Sequence, residues 1–295
     1  MVLLAGLMLV GCGAEVTPST PIAAPESPQA GGDVTPTPQL VATVNGQPIT
    51  MDSLQRELAR FEAGQAALGF EVTDPTGYQQ QVLDLLIEQE LIRQEAARQG
   101  ISVSDEAVDA EINSMIQESG QDYFNAWLAS NYYTLDEFRE VIRLDLITSQ
   151  LVAPIAQSVP SVAEQVHARH ILVNSQAQAE EALGRLMAGE DFVALAAQYS
   201  VDVTTRANGG DLGWFPRGGL LVPEVEEVAF SLQPGQTSGV VASAWGFHIV
   251  QTLEYDPNRE VAPETLQRLV EKAIENWRLG LRNGASIQQF VSFAP

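Results

Sequence analysis

The sequence predicts an α+β protein in which helical segments flank a region of short strands. Between residues 79 and 99, apolar side chains recur at the three- and four-residue spacing of a helix. Residues 168–173 and 246–250 are instead short runs rich in β-branched residues, as is typical of strands. We therefore expect a small, mostly antiparallel sheet flanked by helices, with a helical region before it.

The region that follows residue 40 begins with a predicted strand and continues as helices. Residues 40–46 form an apolar run that ends at Asn45-Gly46, a typical turn, and the first helix is capped near Thr50 or Asp52. The helix over 79–99 ends at Gly100. Its predicted core residues are Val82, Leu85, Leu86, Leu91, Ile92 and Ala96.

Two further helix starts follow. Ser104 is followed by acidic residues at the start of one helix, and Thr134 with Glu137 makes a capping box for a helix that continues through residue 155. Pro154 and Pro160 interrupt the helical pattern, which predicts a domain junction there.

The region after this junction mixes strands and short helices. Apolar stripes over 179–187 and 192–199 predict two helices, and residues 223–230 predict a third. The strand over 246–250 closes the region. Beyond Pro257 the chain returns to helix, and residues 286–293 alternate as in a strand.

Composition limits the class of protein. The chain has 295 residues, of which 45% are hydrophobic and 18% charged, enough for about two domains with cores. The net charge of -23 argues against nucleic-acid binding and against adsorption to anionic lipid through a basic face.

The first twelve residues suggest export. Residues 1–10 are apolar but too few to span a bilayer. Residues 9–12, Leu-Val-Gly-Cys, resemble the lipobox of bacterial lipoproteins, which implies a signal peptide over 1–12 and lipidation of Cys12. No basic residue precedes the apolar run, so we expect the natural start to lie farther upstream. The alternatives are a leader that is removed whole and a fragment of a membrane helix.

Cys12 is the only cysteine, which excludes an intramolecular disulfide and a cysteine-rich metal site. Residues 13–39 are rich in Pro, Thr, Ser, Ala and Gly, and this composition predicts a disordered linker.

Four motifs lie in order within residues 166–254: ARHILV at 168–173, YSVD at 199–202, NGGDLGWF at 208–215 and GFHIV at 246–250. Their order and spacing resemble the parvulin family of peptidyl-prolyl cis/trans isomerases. The resemblance implies an isomerase domain over residues 161–256 that needs no metal and no cofactor.

This resemblance assigns His170, Asp202 and His248 as catalytic residues, with hydrogen bonds that orient the histidines beside the prolyl bond. Leu221 stands where the family often has Met, and Val225 stands where it usually has Phe, so we expect weaker substrate packing and slower catalysis. The basic cluster of phosphate-directed parvulins is absent after Val173. The residues expected to bind substrate are Leu212, Trp214, Phe215, Leu221, Val225, Phe230, Ser243 and Trp245.

The region before residue 160, with Val-Asn-Gly at 44–46 and the long apolar helix, resembles the chaperone region of SurA and PrsA type extracytoplasmic foldases. This implies a chaperone-like domain over 40–160, completed by residues 257–295, with the isomerase domain inserted. The strand near residue 287 should then lie beside residues 41–44.

The implied function is an extracytoplasmic foldase that isomerises Xaa-Pro bonds in exported, unfolded polypeptides and binds them as a chaperone. It would be anchored by Cys12 to the outer face of the bacterial cell membrane, with a secreted or periplasmic protein as the alternative. The rival function is a non-catalytic holdase with a degenerate parvulin docking domain.

Two other classes of site are disfavoured. His167, His170 and His248 are the only histidines, and on a strand His167 and His170 point to opposite faces, so they should not bind one metal ion. The sequence has no Gly-x-Ser-x-Gly motif for a Ser-His-Asp hydrolase.

Overall fold

The computed structural model describes residues 38–70 and 76–293. The predicted signal peptide, Cys12 and linker residues 13–37 lie outside the described residues. The helices are α1 (Met51–Ala67), α2 (Thr76–Gln99), α3 (Asp105–Ser119), α4 (Gln121–Ser130), α5 (Leu135–Ser158), α6 (Gln176–Met187), α7 (Phe192–Tyr199), α8 (Pro223–Ser231) and α9 (Pro263–Gly284). The strands are β1 (Leu40–Val44), β2 (Gln47–Thr50), β3 (Val162–Val173), β4 (Asp211–Pro216), β5 (Thr237–Ser243), β6 (Gly246–Glu260) and β7 (Ile287–Gln289).

The chain forms two compact units. One comprises the described residues up to Ala153 together with residues 278–293, and the other is Pro154–Trp277. The second unit thus lies within the sequence of the first. Within the described residues, no helix has the length and apolar character needed to cross a membrane.

The first unit contains a three-stranded antiparallel sheet in the order β2-β1-β7. Asn45 and Gly46 have φ values of 51° and 85°, which are the left-handed values that a tight hairpin turn requires. Strand β7 pairs with β1 in the register Val44↔Ile287 and Ala42↔Gln289. The expected position of the C-terminal strand beside residues 41–44 is therefore confirmed.

The buried part of the surface of helix α2 is wider than the apolar stripe that the sequence predicted. Val82, Leu91, Ile92 and Ala96 are buried as expected, whereas Leu85 and Leu86 are only partly buried. Leu83 and Ile87, which the stripe omitted, are also buried in the core of this unit. The helix contacts both α1 and β1, and so apolar residues outside a single stripe are covered.

The predicted helix starts are present, but one predicted helix end is wrong. Glu137 N donates to Thr134 Oγ1 at 3.2 Å while Thr134 N donates to Glu137 Oε2 at 3.0 Å, which completes the capping box. Helix α5 does not end at residue 155, as predicted, but continues to Ser158. Pro154 removes only one backbone hydrogen bond, and it does so four residues before the helix ends.

The second unit contains a four-stranded antiparallel sheet in the order β4-β3-β6-β5. On one face, Ile171, Val173 and Ile249 pack with residues of α6 and α7. On the other face, Val166, Ala168 and Val250 pack with residues of α8. This second face also carries His170 and His248, because side chains two residues apart on a strand share a face.

Two boundaries differ from the sequence expectations. Strand β2 was not predicted, and β6 continues through Pro257 to Glu260 before α9 begins at Pro263. Strand β5 pairs with β6 as far as Gln251, Gly235 and Gln236 bond to the backbone of Thr252, and among the described residues no strand pairs with that edge of β6 beyond this point. A proline is tolerated in such a strand because its missing N–H is not needed for pairing. The compact unit Pro154–Trp277 thus includes residues beyond 256.

Candidate active site

Two histidines from the central strands meet on the α8 face of the sheet. His170 of β3 lies opposite Val250, and His248 of β6 lies opposite Leu172, so the two rings are diagonal neighbours. Their centroids are 5.4 Å apart with the planes inclined by 25°, and the two Nδ1 atoms are 3.2 Å apart. His248 is fully buried and His170 is 6% exposed, so the sheet and its packing fix both rings.

The Asp202 carboxylate lies against the outer nitrogen of His170. Its Oδ2 atom is 2.9 Å from His170 Nε2. Thr205 Oγ1 donates to the same oxygen at 2.6 Å, and Thr204 N donates to Oδ1 at 3.0 Å. Burial alone would raise the pKa of Asp202, but the hydrogen bonds from Thr205, His170 and Thr204 outweigh it and lower the pKa to about 2. Asp202 is therefore ionised at neutral pH and can only accept hydrogen bonds.

His248 is held in its neutral form at neutral pH. Burial, and then the proximity of His170, lowers its pKa to about 4. Its Nε2 atom is 2.8 Å from Ser243 Oγ, which also accepts a hydrogen bond from Trp245 N at 3.0 Å. A neutral imidazole has one donor and one acceptor nitrogen, so its two partners must take opposite roles.

These contacts form one chain of hydrogen bonds from Asp202 to Ser243. With His170 neutral, its Nε2–H donates to Asp202, His248 Nδ1–H donates to His170 Nδ1, and the Ser243 hydroxyl donates to His248 Nε2. A second proton on His170 reverses the last two bonds. The Ser243 hydroxyl can then turn towards Gly246 O, 3.5 Å away, so the chain accommodates either state.

A glycine bend places the Asp202 loop beside His170. His170 N donates to Gly210 O at 2.9 Å, and Gly210 N donates to Thr205 O at 2.9 Å. Gly210 has a φ of 79°, and a Cβ there would lie 1.9 Å from His170 O. Only glycine fits this position. Sequence reasoning identified the bend but not Thr205, whose only sequence signal is a hydroxyl three residues after Asp202.

Four of the predicted substrate-binding residues lie in one apolar cluster on the histidine face. Phe215 and Val225 are buried in it, with Leu212 and Phe230 packed against it. The rings of Phe215 and Phe230 meet edge to face with centroids 6.1 Å apart. This cluster, which also contains Val166, Ala168, Ala229 and Val250, is called the apolar cluster below.

The other predicted residues are placed differently. Trp214 precedes Phe215 on β4 and packs against His167, with ring centroids 5.6 Å apart, and under Arg259. Leu221 is 84% exposed and Trp245 is 61% exposed, although Trp245 N bonds the serine that holds His248. Ser243 contacts His248 directly, so the structure assigns it to the hydrogen-bond chain.

His167 and His170 have separate partners. His167 Nε2 is 2.8 Å from Asp211 Oδ1, and its Nδ1 is 3.4 Å from Glu254 Oε1. None of these residues contacts the His170–His248 pair in the hydrogen-bond chain described above. The side chains of His167 and His170 thus lie on opposite faces of the sheet, as their spacing predicted.

Two family models match the chain. A SurA-like N-terminal domain matches residues 25–152, and a PPIC-type PPIASE domain matches residues 164–254. The second range contains every member of the hydrogen-bond chain and of the apolar cluster.

Individual proteins are similar as well. "Foldase protein PrsA" of Caldanaerobacter subterraneus subsp. tengcongensis is 38% identical over 181 residues, which are 58% of this chain and 55% of the relative. The same-named protein of Geobacillus kaustophilus is 31% identical over 211 residues, 63% of this chain and 74% of the relative. A crystal structure titled Peptidylprolyl Isomerase (PrsA) from Bacillus anthracis is 29% identical, covers 66% of this chain and 88% of that one, and has a TM-score of 0.47.

The match thus spans about half the length of the first of these relatives and about three quarters of the second. The two matched domains follow one another in the order of the helical region and the sheet-containing region described above, and the sequence identities support the same relationship. The chain belongs to the PrsA family of foldases.

Proposed function

We propose that the chain is an extracytoplasmic foldase that isomerises Xaa-Pro peptide bonds in exported, unfolded proteins and also binds them as a chaperone. The observation that carries the proposal is the buried His170–His248 pair, tied to ionised Asp202 and placed on the same sheet face as the apolar cluster. The match to a PPIC-type PPIASE domain over residues 164–254 supports the same reaction.

The reaction needs geometry and not a nucleophile. Rotation about the prolyl bond has a barrier of roughly 18–20 kcal/mol and takes tens to hundreds of seconds without a catalyst. A catalyst needs to bind the twisted bond more tightly than either planar form. Each ~1.36 kcal/mol of that preference gives about a tenfold higher rate.

The residues of this unit can supply both an apolar surface for the proline ring and fixed hydrogen-bonding groups beside the bond. The apolar cluster offers a surface for the proline ring, with Leu212 and Phe230 partly accessible. The hydrogen-bond chain holds the two imidazoles in fixed orientations, so that no reorganisation is needed when the bond twists. Val225 is almost completely buried, and a Val where the family usually has Phe leaves less aromatic surface for proline. Slower catalysis than in relatives with Phe therefore stays a prediction.

A protease-coupled prolyl isomerisation assay on the full chain tests the proposal. We expect activity above background in the wild type and loss of most of it in His248→Ala, because His170 then loses its imidazole neighbour. His167→Ala is the matched control, since it removes a histidine from the same sheet but from outside the hydrogen-bond chain.

Two outcomes would contradict the proposal. Wild-type activity indistinguishable from background, combined with suppression of client aggregation, would favour the non-catalytic holdase. Equal loss of activity in His167→Ala and His248→Ala would show that the assay reports general destabilisation and not the histidine pair.

The proposed location rests on the sequence before the folded units. The lipobox-like residues 9–12 support lipidation of Cys12 and attachment to the outer face of the cell membrane. Expression in a bacterial host with a labelled fatty acid tests this. The label should be found on the wild type and be absent from Cys12→Ser, and an unlabelled wild type would contradict the anchor.

A further inference from the structure

The loop that carries Asp202, residues 201–210, is bonded at both ends to one edge of β3. At its start, Val201 N donates to Leu172 O at 2.8 Å, and at its end Gly210 O accepts from His170 N at 2.9 Å. His170 and Leu172 are two residues apart on β3, so their backbone groups point to the same side of the strand. Strand β4 pairs with β3 as far as Arg169, and the loop continues along the same edge.

A buried serine hydroxyl strengthens the first of these attachments. Ser200 follows the last residue of α7, and its φ of -67° and ψ of 130° turn the chain out of the helix. Its Oγ accepts from Leu172 N at 3.2 Å and from Asp202 N at 3.4 Å. Ser200 is only 2% exposed, so loss of this acceptor would leave the buried Leu172 N–H unpaired.

This hydroxyl joins the strand of the histidines to the backbone of the carboxylate residue. Leu172 lies directly opposite His248 on β6 and two residues after His170. The same short segment of β3 thus carries one histidine, faces the other and holds the start of the Asp202 loop. The 2.9 Å contact between Asp202 Oδ2 and His170 Nε2 therefore depends on how the loop is attached to this segment.

Ser200 and Thr205 act on different parts of Asp202. Thr205 Oγ1 donates to the carboxylate oxygen itself. The Ser200 hydroxyl accepts from backbone amides, and no hydrogen bond between described residues joins it to the carboxylate oxygens or to an imidazole. Thr205 thus stabilises the charge of the carboxylate, whereas Ser200 fixes where its backbone lies.

We propose that Ser200 is a positioning residue for prolyl isomerisation, which acts through Leu172 and Asp202 on the orientation of the His170 ring. The inference rests on the proposed isomerase function. Without the hydroxyl, the loop is still attached through Val201 and Gly210, so the fold persists while the Asp202 backbone can shift. The expected defect is therefore one of geometry beside the prolyl bond.

The test compares two substitutions of Ser200 with one of Ser175. Ser200→Ala should lower kcat for an Xaa-Pro peptide about fivefold or more with KM within about twofold, because it alters the histidine pair and not the apolar surface. Ser200→Thr keeps the hydroxyl and should restore most of kcat. Ser175→Ala is the matched control, since Ser175 Oγ also accepts from a backbone amide, that of Gln178 at 3.3 Å, but at the start of α6.

NMR signals of the site separate positioning from stability. In Ser200→Ala, the signal of the His170 Nε2–H that donates to Asp202 should shift and exchange faster with water. The pKa of Asp202 should rise, because the bond from His170 that helps to lower it is weakened. A merely structural role would lower the urea midpoint, as expected for Ser175→Ala, and leave both readouts unchanged.

Failure of this inference and failure of the proposed function are distinguishable. Equal kcat in Ser200→Ala and Ser175→Ala, with an unchanged His170 Nε2–H signal, would overturn the inference in an active enzyme. If the wild type shows no isomerase activity, the proposed function fails, and the inference fails with it as a statement about catalysis. The His170 signal and the Asp202 titration then still show whether Ser200 holds the carboxylate. If Ser200→Ala does not fold, Ser200→Cys, whose sulfur is a weaker acceptor, should show the same changes to a smaller extent, and their absence would overturn the inference.

Discussion

The pH dependence of folding stability tests the buried, neutral state of His248. Its pKa is about 4 in the folded chain against 6.5 for an ordinary histidine, because burial and the neighbouring His170 disfavour its charged form. Below pH 6.5 the unfolded chain binds a proton here that the folded chain does not bind until about pH 4. Stability is therefore unaffected by this residue above pH 6.5 and falls as the pH is lowered towards 4.

The size of the effect follows from these two pKa values. Between pH 7.5 and pH 4.5, His248 should lower the free energy of unfolding by about 2.5 kcal/mol. Urea unfolding at both pH values, followed through the indole NMR signals of Trp214 and Trp245, reports on the unit that contains the site. His248→Gln lacks this titration, so its loss of stability over the same range should be smaller by that amount. An equal loss in His248→Gln and wild type would refute the reasoning.

Two further predictions concern the bend and the carboxylate. Gly210→Ala should lower the free energy of unfolding by about 2–4 kcal/mol, because the new Cβ overlaps the carbonyl of His170 and the backbone is left-handed. Gly184→Ala, which places its Cβ in open space on α6, should not lower it. Equal urea midpoints for the two variants would contradict this prediction. Thr205→Val should raise the pKa of Asp202, since it removes a donor to the ionised carboxylate, and Thr205→Ser should not. A carboxyl ¹³C NMR titration measures both, and an unchanged pKa in Thr205→Val would show that the other donors suffice.

The histidine pair could be predicted because its signals are local. His170, Asp202 and His248 each lie in a short motif whose order indicates one family, and strand alternation alone separated His167 from His170. The capping box at Thr134 was equally predictable, since both of its hydrogen bonds join residues three apart.

The features that the sequence did not predict depend on contacts with other secondary-structure elements. The burial of Leu83 and Ile87 depends on α1 and β1, and the tolerance of Pro257 depends on where β5 stops pairing. Leu220 and Leu221 are adjacent and chemically identical, so no periodicity could assign one to the apolar cluster. The loop that carries both is held by Glu226, several residues farther along the chain, which accepts hydrogen bonds from the backbone of Gly218 and Leu220.

The most direct measurement is the exchange between the cis and trans NMR signals of a short Leu-Pro peptide in the presence of substoichiometric full-length protein. The account predicts faster exchange with the wild type and exchange at the uncatalysed rate with the double variant His170→Gln and His248→Gln, provided that the variant remains folded by hydrogen exchange. Equal acceleration by a folded double variant, or none by the wild type, would contradict the assignment of the histidine face as the site of prolyl isomerisation.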